Sequence, residues 1–487
     1  MSQTEGYKSL VHAVRMGVLA RIGGQLSIVL AILCLPSALA AAWFEEWKYL
    51  WTLLPLMVVL AALGNLSRKL PDPHRLLTSE GYVLACAAFG ITPLLMVLAL
   101  APSGLPLHVL FFETVSAVTT TGLSNVGPLE HLDRTLLFTR SWMQWYGGLG
   151  IVVLSVTMLM QRSEASSQLL ELPEGKGFVT SALVYARRVL IVYLVLTVLA
   201  ALVCWWALGR GFEGLLHGLS AISTGGFSSA DDSLAHLPFP VQLAVMSGGV
   251  AGAISLAIYL RIWQGPRRQV AGNQELRTFL LLSVLLCIAL SLMMLARGDT
   301  AEAGVAKGVI LGLSALSTTG FSNADIGALD SAAKLVLVLA MFIGGCLGST
   351  AGGLKIHRLR IIAQYLLVTL RRASAPAHAV IEPRSQGKVL EPERIQEAML
   401  IGGLLVAVLA LSWLPFLWYG YEPLDALFEV ASAVGTVGLS TGIVSPDLPA
   451  ALKAVLCFDM IAGRVEVIAL VCLLYPGLWT GRRYSDL

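Results

Sequence analysis

The sequence predicts an all-α integral membrane protein with about ten transmembrane helices and four re-entrant pore helices. Its core is four tandem helix, pore loop, helix repeats with pseudo-fourfold symmetry. Three observations predict this. The chain is 56% hydrophobic and 13% charged, with a mean hydropathy of +0.77, where a soluble domain carries about 25% charged residues. Apolar stretches long enough to cross about 30 Å of hydrocarbon, roughly 20 residues each, begin near Gln25, Leu50, Gly81, Leu137, Val189, Pro240, Thr278, Lys334, Met399 and Ala450. One short motif recurs four times, at intervals of 104, 94 and 118 residues.

Residues 1–76 read as an N-terminal transmembrane hairpin. Arg15 and Arg21, an apolar run and Ser37-Ala38-Leu39-Ala40 also fit a cleaved signal peptide. The lead-in and apolar run together are long for such a peptide, and a second span follows within a few residues, so a retained hairpin is expected. The repeats are then 77–180, 181–270, 271–392 and 393–487. Each carries one span before the motif and one after. The four motifs are Ser116-Ala-Val-Thr-Thr-Thr-Gly122-Leu-Ser124, Ser220-Ala-Ile-Ser-Thr-Gly-Gly226-Phe-Ser228, Ser314-Ala-Leu-Ser-Thr-Thr-Gly320-Phe-Ser322 and Ser432-Ala-Val-Gly-Thr-Val-Gly438-Leu-Ser440. A short apolar stretch, such as 107–118 or 424–434, precedes each motif and is about half as long as a span. Non-helical backbone at that depth is tolerated only where it is buried in protein or lines a wet cavity. Four such segments in one chain imply a cavity shared by all four.

Of 33 Lys and Arg residues, 23 fall on one side if the N-terminus is inside. Short cytoplasmic loops retain basic residues, so both termini are expected to be cytoplasmic. A net charge of +3 without a polybasic run excludes nucleic acid as a partner and leaves lipid as the surroundings. The seven cysteines, Cys34, Cys86, Cys204, Cys287, Cys346, Cys457 and Cys472, all lie in apolar spans without metal-ligand spacing and read as small buried residues.

A dehydrated monovalent cation needs a ring of oxygens in place of its water, which extended backbone supplies through its carbonyls. Pointing successive carbonyls the same way demands dihedrals that glycine reaches without a Cβ clash. Gly122, Gly226, Gly320 and Gly438 meet that demand once per repeat. Thr120-Thr121, Thr224-Gly225, Thr318-Thr319 and Thr436-Val437 would add further carbonyls and threonine hydroxyls. Thr436-Val437-Gly438 matches the start of the filter of tetrameric potassium channels. One such copy alone would read as a glycine and serine turn; four copies in register, each flanked by spans, read as a pore.

On these residues the chain resembles, over nearly its whole length, the TrkH branch of the Trk/Ktr/HKT potassium transporter superfamily. The resemblance rests on the four motifs, on Trp145-Tyr-Gly-Gly-Leu-Gly150, on Gly344-Gly-Cys-Leu-Gly-Ser-Thr-Ala-Gly-Gly353-Leu-Lys355 and on Gly463-Arg464-Val-Glu466. The extra hairpin is similar to this branch rather than to the shorter Ktr subunits. The resemblance implies potassium uptake across the bacterial inner membrane, a potassium ion held at the filter residues, and no covalent cofactor. It also implies a homodimer and a cytosolic nucleotide-binding, TrkA-like regulatory subunit; the basic loop from Arg371 to Arg394 is the expected contact. In plant relatives a serine at the first filter glycine goes with sodium transport, and Gly122 resembles the potassium type. The fourth copy departs in having Gly435 and Val437 where the others have Ser, Thr or, at one place, Gly225. A less selective potassium and sodium pathway is therefore a second reading.

Gly344, Gly345, Gly348, Gly352 and Gly353, with Ser349 and Thr350 between them, lower helix stability by about 1 kcal/mol per glycine. Two readings stay open on the residues alone: a helix break, or a small-residue packing face. The resemblance implies the break, as an intramembrane gate below the filter. Charge at membrane depth is costly and usually functional, so Lys355, Asp459, Arg464 and Glu466 need partners. Asp459 and Arg464 are five residues apart and do not share a helical face. The resemblance places Arg464 in the gate, facing the pore beneath the filter. Glu113 and Glu429 each lie nine residues before a filter glycine and are expected to brace the filter by hydrogen bonds. Asp231, Asp232, Asp325 and Glu422 near the outer mouth read as solvated loop residues.

An enzyme is not expected. Gly438-Leu-Ser440-Thr-Gly442 matches a nucleophile elbow formally, but it lacks a preceding strand and coincides with the fourth motif. Neither Gly175-Lys176 nor Gly387-Lys388 is followed by the Ser or Thr of a phosphate-binding loop. The remaining rival is a secondary transporter coupled to protons or sodium. Its usual signature is an inverted repeat, whereas here all four units run in the same order.

Overall fold

The computed structural model describes residues 13–71, 76–162, 178–264, 272–376, 382–385 and 388–480. Among the basic residues used for orientation, Lys8, Arg75, Lys176, Arg267, Arg268, Arg482 and Arg483 lie outside the described residues, as do positions 377–381 and 386–387 of the basic loop.

The N-terminal hairpin is α1 (Met16–Trp43) and α2 (Trp47–Ser67). Small residues let the two backbones approach closely: a side chain at Gly24 would collide with Ser67, and one at Gly64 with Ile28. Polar contacts tie the hairpin to the rest. Arg15 meets Glu80 at 2.7 Å, and Glu46 accepts the Arg134 and Thr135 amides at 3.0 and 2.9 Å. Those amides open the helix Arg134–Arg162, where a carboxylate satisfies free N–H groups.

Four units follow. Each opens with a long apolar helix: α3 (Thr78–Leu100), α6 (Phe178–Leu208), α10 (Gln274–Ala296) and α14 (Pro392–Trp418). Each continues into a short helix that turns back: α4 (Leu107–Val118), α7 (Gly211–Ile222), α11 (Ala301–Ser317) and α15 (Pro423–Val434). Three of them have twelve residues, which at 1.5 Å each reach about 18 Å, and the seventeen of α11 reach about 26 Å, all short of about 30 Å of hydrocarbon. The motif loop then leads to a second helix: α5 (Arg134–Arg162), α8 (Phe239–Ala253), α12 (Ser331–Ile343) or α16 (Ala450–Val465). The remaining helices are α9 (Leu256–Gln264), α13 (Ile356–Ala373), α17 (Val467–Leu474) and α18 (Gly477–Thr480). A two-residue antiparallel pairing, Arg384–Ser385 with Lys388–Val389, precedes α14.

Among the described residues six helices are long and apolar enough to cross a membrane, or seven if α8 and α9 form one bent span. The spans expected from Pro240, Lys334 and Ala450 are interrupted helices. All three are the second helix of their unit. The first bends by 88° between α8 and α9. The next stops at Gly344, and the last breaks at Glu466, where φ is +64°. Broken helices inside a bilayer imply protein or a cavity around the break.

Lipid-facing and buried stripes separate by helical spacing. On α10, Leu281, Leu285, Ile288 and Leu292 are exposed along one face, while Phe279, Leu290 and Met294 are buried along another. The short helices sit inside. Each second helix packs against the next unit's short helix: α5 on α7, α8 on α11, α12 on α15, and α16 back onto α4. The chain therefore closes on itself in the order 1-2-3-4-1.

Candidate functional site

The four motifs end the four short helices with the same backbone. Just past each helix, Thr120, Thr224, Thr318 and Thr436 take φ of +54°, +51°, +54° and +49°. A left-handed threonine is strained, and the turn around it supplies the compensation. The amides of Thr121, Gly225, Thr319 and Val437 donate to the carbonyls of Ser116, Ser220, Ser314 and Ser432 at 2.8–3.0 Å. The threonine amides donate to Ala117, Ala221, Ala315 and Ala433 at 2.9–3.3 Å. This closure returns each chain sharply after its helix, so the recurrent Ser-Ala pair is the acceptor half of a turn. Two of these serines act twice, because the Ser116 and Ser432 hydroxyls accept the amides of Gly122 and Gly438 at 3.0 Å.

The motif glycines follow at φ of +89°, +72°, +84° and +99° for Gly122, Gly226, Gly320 and Gly438. Each lies against the next unit's backbone. A Cβ on Gly122 would strike the Gly225 carbonyl oxygen, and one on Gly226 would strike that of Thr319. On Gly320 it would strike the Val437 oxygen, and on Gly438 the Thr121 oxygen. Four homologous segments thus meet in a closed ring, in chain order. The negative ends of four helix dipoles point at its base. Thr120, Thr224, Thr318 and Thr436 are fully buried beneath it.

Above the ring the predicted braces are in contact with the loops. Glu113 accepts the Ser124 hydroxyl and the Asn125 amide, both at 2.8 Å, and pairs with Arg140 at 2.9 Å. Arg140 also lies 4.0 Å above the Phe227 ring of the second unit. Glu429 accepts the Ser440 hydroxyl and the Thr441 amide at 2.7 Å. The equivalent position holds His217 in the second unit, 3.4 Å from the Ser228 hydroxyl, and Leu311 in the third. Asp231 accepts the Leu129 amide, Asp325 the Gly327 amide and Glu422 the Asp425 amide, at 2.7–2.9 Å. These acids shape loops.

Beneath the ring lies the glycine-rich segment, which is a loop from Gly344 to Lys355 rather than a helical packing face. Gly344, Gly348, Gly353 and Lys355 all have positive φ, between +71° and +74°. The Cys346 amide donates to Ala253 and the Thr350 amide to Gly252, at 3.0 and 3.1 Å. The Thr350 hydroxyl reaches the Ile222 and Gly252 carbonyls at 3.1 and 2.9 Å, and it accepts from Thr224 at 3.3 Å. The Gly352 amide donates to the Thr318 hydroxyl at 2.9 Å, and no room for a side chain exists between Gly352 and Thr436. Gly345 packs on Ala253 and Ser349 closes back onto the Cys346 carbonyl at 2.6 Å. The loop thus spans units two, three and four directly under their threonines.

Arg464 completes the fourth side. It is 2% exposed, and its guanidinium donates to the Thr350 carbonyl at 2.7 Å and the Gly147 carbonyl of α5 at 3.1 Å. Asp459 is not its partner. That carboxylate accepts from Ser412 at 2.6 Å on the side facing α14. Glu466 takes Arg358 at 2.8 Å and Lys355 at 3.8 Å, fastening the loop's exit to the break between α16 and α17. Sequence reasoning did not single out Gln144 or Arg140, although Arg140 is an isolated cation in the apolar run after the first motif.

Comparison with known proteins agrees with this architecture. The profile of the TrkH family, described as cation transport protein, matches residues 82–476. The Trk system potassium uptake protein TrkH of Halomonas elongata is 28% identical over 95% of this chain and 99% of its own. An uncharacterised cation transporter of Methanocaldococcus jannaschii is 27% identical over 94% of both chains. The crystal structure of the potassium transporter TrkH from Vibrio parahaemolyticus superposes with a TM-score of 0.84 at 25% identity, covering 96% of this chain and all of that one. A match of that extent, on a fold built from four ring-forming units, makes this chain a multi-pass membrane protein and not an enzyme. The chain belongs to the TrkH family of cation transport proteins.

Proposed function

We propose that this protein takes up potassium across the bacterial inner membrane, through a filter of Thr120, Thr121 and Gly122, Thr224, Gly225 and Gly226, Thr318, Thr319 and Gly320, and Thr436, Val437 and Gly438. The closed contact of four positive-φ glycines with four neighbouring carbonyls carries this reading. Such a ring offers oxygens at one level around one axis, as replacement of a potassium ion's water requires. The buried hydroxyls of Thr120 and Thr436 have no protein partner among the described residues, so they are free to meet water or an ion.

The loop Gly344–Lys355 and Arg464 form the gate, since the loop lies under the ring and a fixed cation there repels a passing one. Both termini are cytoplasmic, the functional units are 77–180, 181–270, 271–392 and 393–487, and the chain works as a homodimer with a cytosolic nucleotide-binding regulatory subunit of the TrkA kind. Arg371 and Arg372, exposed in the last turn of α13, support the basic segment as that subunit's contact. The potential drives uptake, at about 2.3 kcal/mol per charge per 100 mV. Flux of radioactive rubidium into liposomes, competed by potassium or sodium, tests the reading with Gly122→Ser. Its side chain meets both a left-handed φ and the Gly225 oxygen, so potassium preference is expected to fall; an unchanged ratio would refute the filter.

A further inference from the structure

The ring is fourfold in backbone but not in side chains. Before the filter glycine, three units have Thr121, Thr319 and Val437; the second has Gly225. Its φ is not positive, so no backbone demand calls for glycine there. What excludes a side chain is Gln144 of α5. A Cβ at Gly225 would land on the amide of that residue, which is fully buried. Elsewhere bulk and space are exchanged: the Thr319 side chain occupies the room left by Gly249 of α8.

The amide also bonds. Nε2 of Gln144 donates to the Gly225 carbonyl at 2.5 Å, and Oε1 accepts the Phe227 amide at 3.3 Å. The two contacts straddle Gly226 and fix which end of the amide is which. Of the four ring carbonyls, Thr121, Gly225, Thr319 and Val437, that of Gly225 is the one with a side-chain donor among the described residues.

We propose that Gln144 is a positioning residue for cation selectivity: it replaces the missing side chain of the second filter segment and tethers the Gly225 carbonyl. This rests on the filter reading above. An N–H on a coordinating oxygen occupies a lone pair and brings a partial positive charge near the ion, weakening that oxygen's field. A weaker field favours the larger, less tightly hydrated ion, hence potassium over sodium. The tether also stops the glycine from turning its carbonyl away.

The test uses the full chain in liposomes, with rubidium uptake competed by potassium or sodium. Gln144→Leu keeps the bulk and loses the donor; its potassium-to-sodium ratio is expected to fall about two- to tenfold, the worth of one neutral hydrogen bond. Gly225→Ser alone is expected to lose most flux, and Gln144→Ala with Gly225→Ser to regain it. An unchanged ratio in a transporting Gln144→Leu overturns the proposal. Should that variant fail to fold, the pair decides: a double variant no better than Gly225→Ser alone overturns it. Gly122→Ser, run in parallel, separates the two claims. A normal ratio in Gly122→Ser sinks the filter itself, whereas an altered one beside a normal Gln144→Leu sinks only the role of Gln144.

Discussion

Replacing Arg464 by alanine removes two hydrogen bonds, one to Thr350 of the loop at 2.7 Å and one to Gly147 of α5 at 3.1 Å. Only the first ties the loop itself. A hydrogen bond from a charged donor contributes about 1.5–3 kcal/mol, so its loss raises the displaced population of the loop by about 10- to 100-fold. The remaining ties, from Cys346, Thr350 and Gly352, keep the segment in place most of the time. Rubidium uptake into liposomes holding the chain alone is therefore expected to rise by about tenfold or more, up to the point where the open form predominates. Arg464→Lys separates charge from tether. It keeps the positive charge but offers a single compact donor, and its uptake is expected to fall between the other two. Equal or lower uptake by Arg464→Ala, at matched amounts of reconstituted protein, would refute the gate.

Arg140→Leu strands a carboxylate: Glu113 and Arg140 are each 2% exposed, and breaking such a pair costs about 3–5 kcal/mol. The melting temperature of the detergent-solubilised protein is expected to drop, and Glu113→Gln on top of it to recover part of the loss; an unchanged midpoint in the single variant would contradict the brace. Thr350→Val deletes the hydroxyl that reaches Ile222 and Gly252 while keeping the bulk. Uptake is expected to rise, though less than in Arg464→Ala, since neutral hydrogen bonds are worth about 1 kcal/mol. Lower uptake would count against the loop as an obstruction.

Most of the fold was legible because its signals are local and repeated. The stretch 107–118 is marked by its apolar character, its half-span length and its place before a motif, and α4 occupies Leu107–Val118. Threonine stays constant two places before every glycine while the intervening residue varies among Thr, Gly and Val, a demand on the side chain, because a left-handed φ alone would favour glycine. Glu113 and Glu429 were found through their common offset. What stayed hidden is non-local. Arg464 and Gly147 are 317 residues apart, and no spacing rule joins them. The glycine run read equally as packing face or break, because composition lowers helix stability without saying what competes for the backbone. Gln144 occurs in one unit only, so comparing the four motifs could not reveal it.

Four nearly equivalent quadrants carried by a single polypeptide have a consequence that an assembly of identical subunits escapes. In a homotetramer every substitution near the axis is made four times over. Here one codon alters one quadrant and leaves three intact, so the lining of the ring can differ from side to side. The unequal partners of Gly225 and Thr319, and Val437 where the other units carry Thr121, Gly225 and Thr319, are such differences.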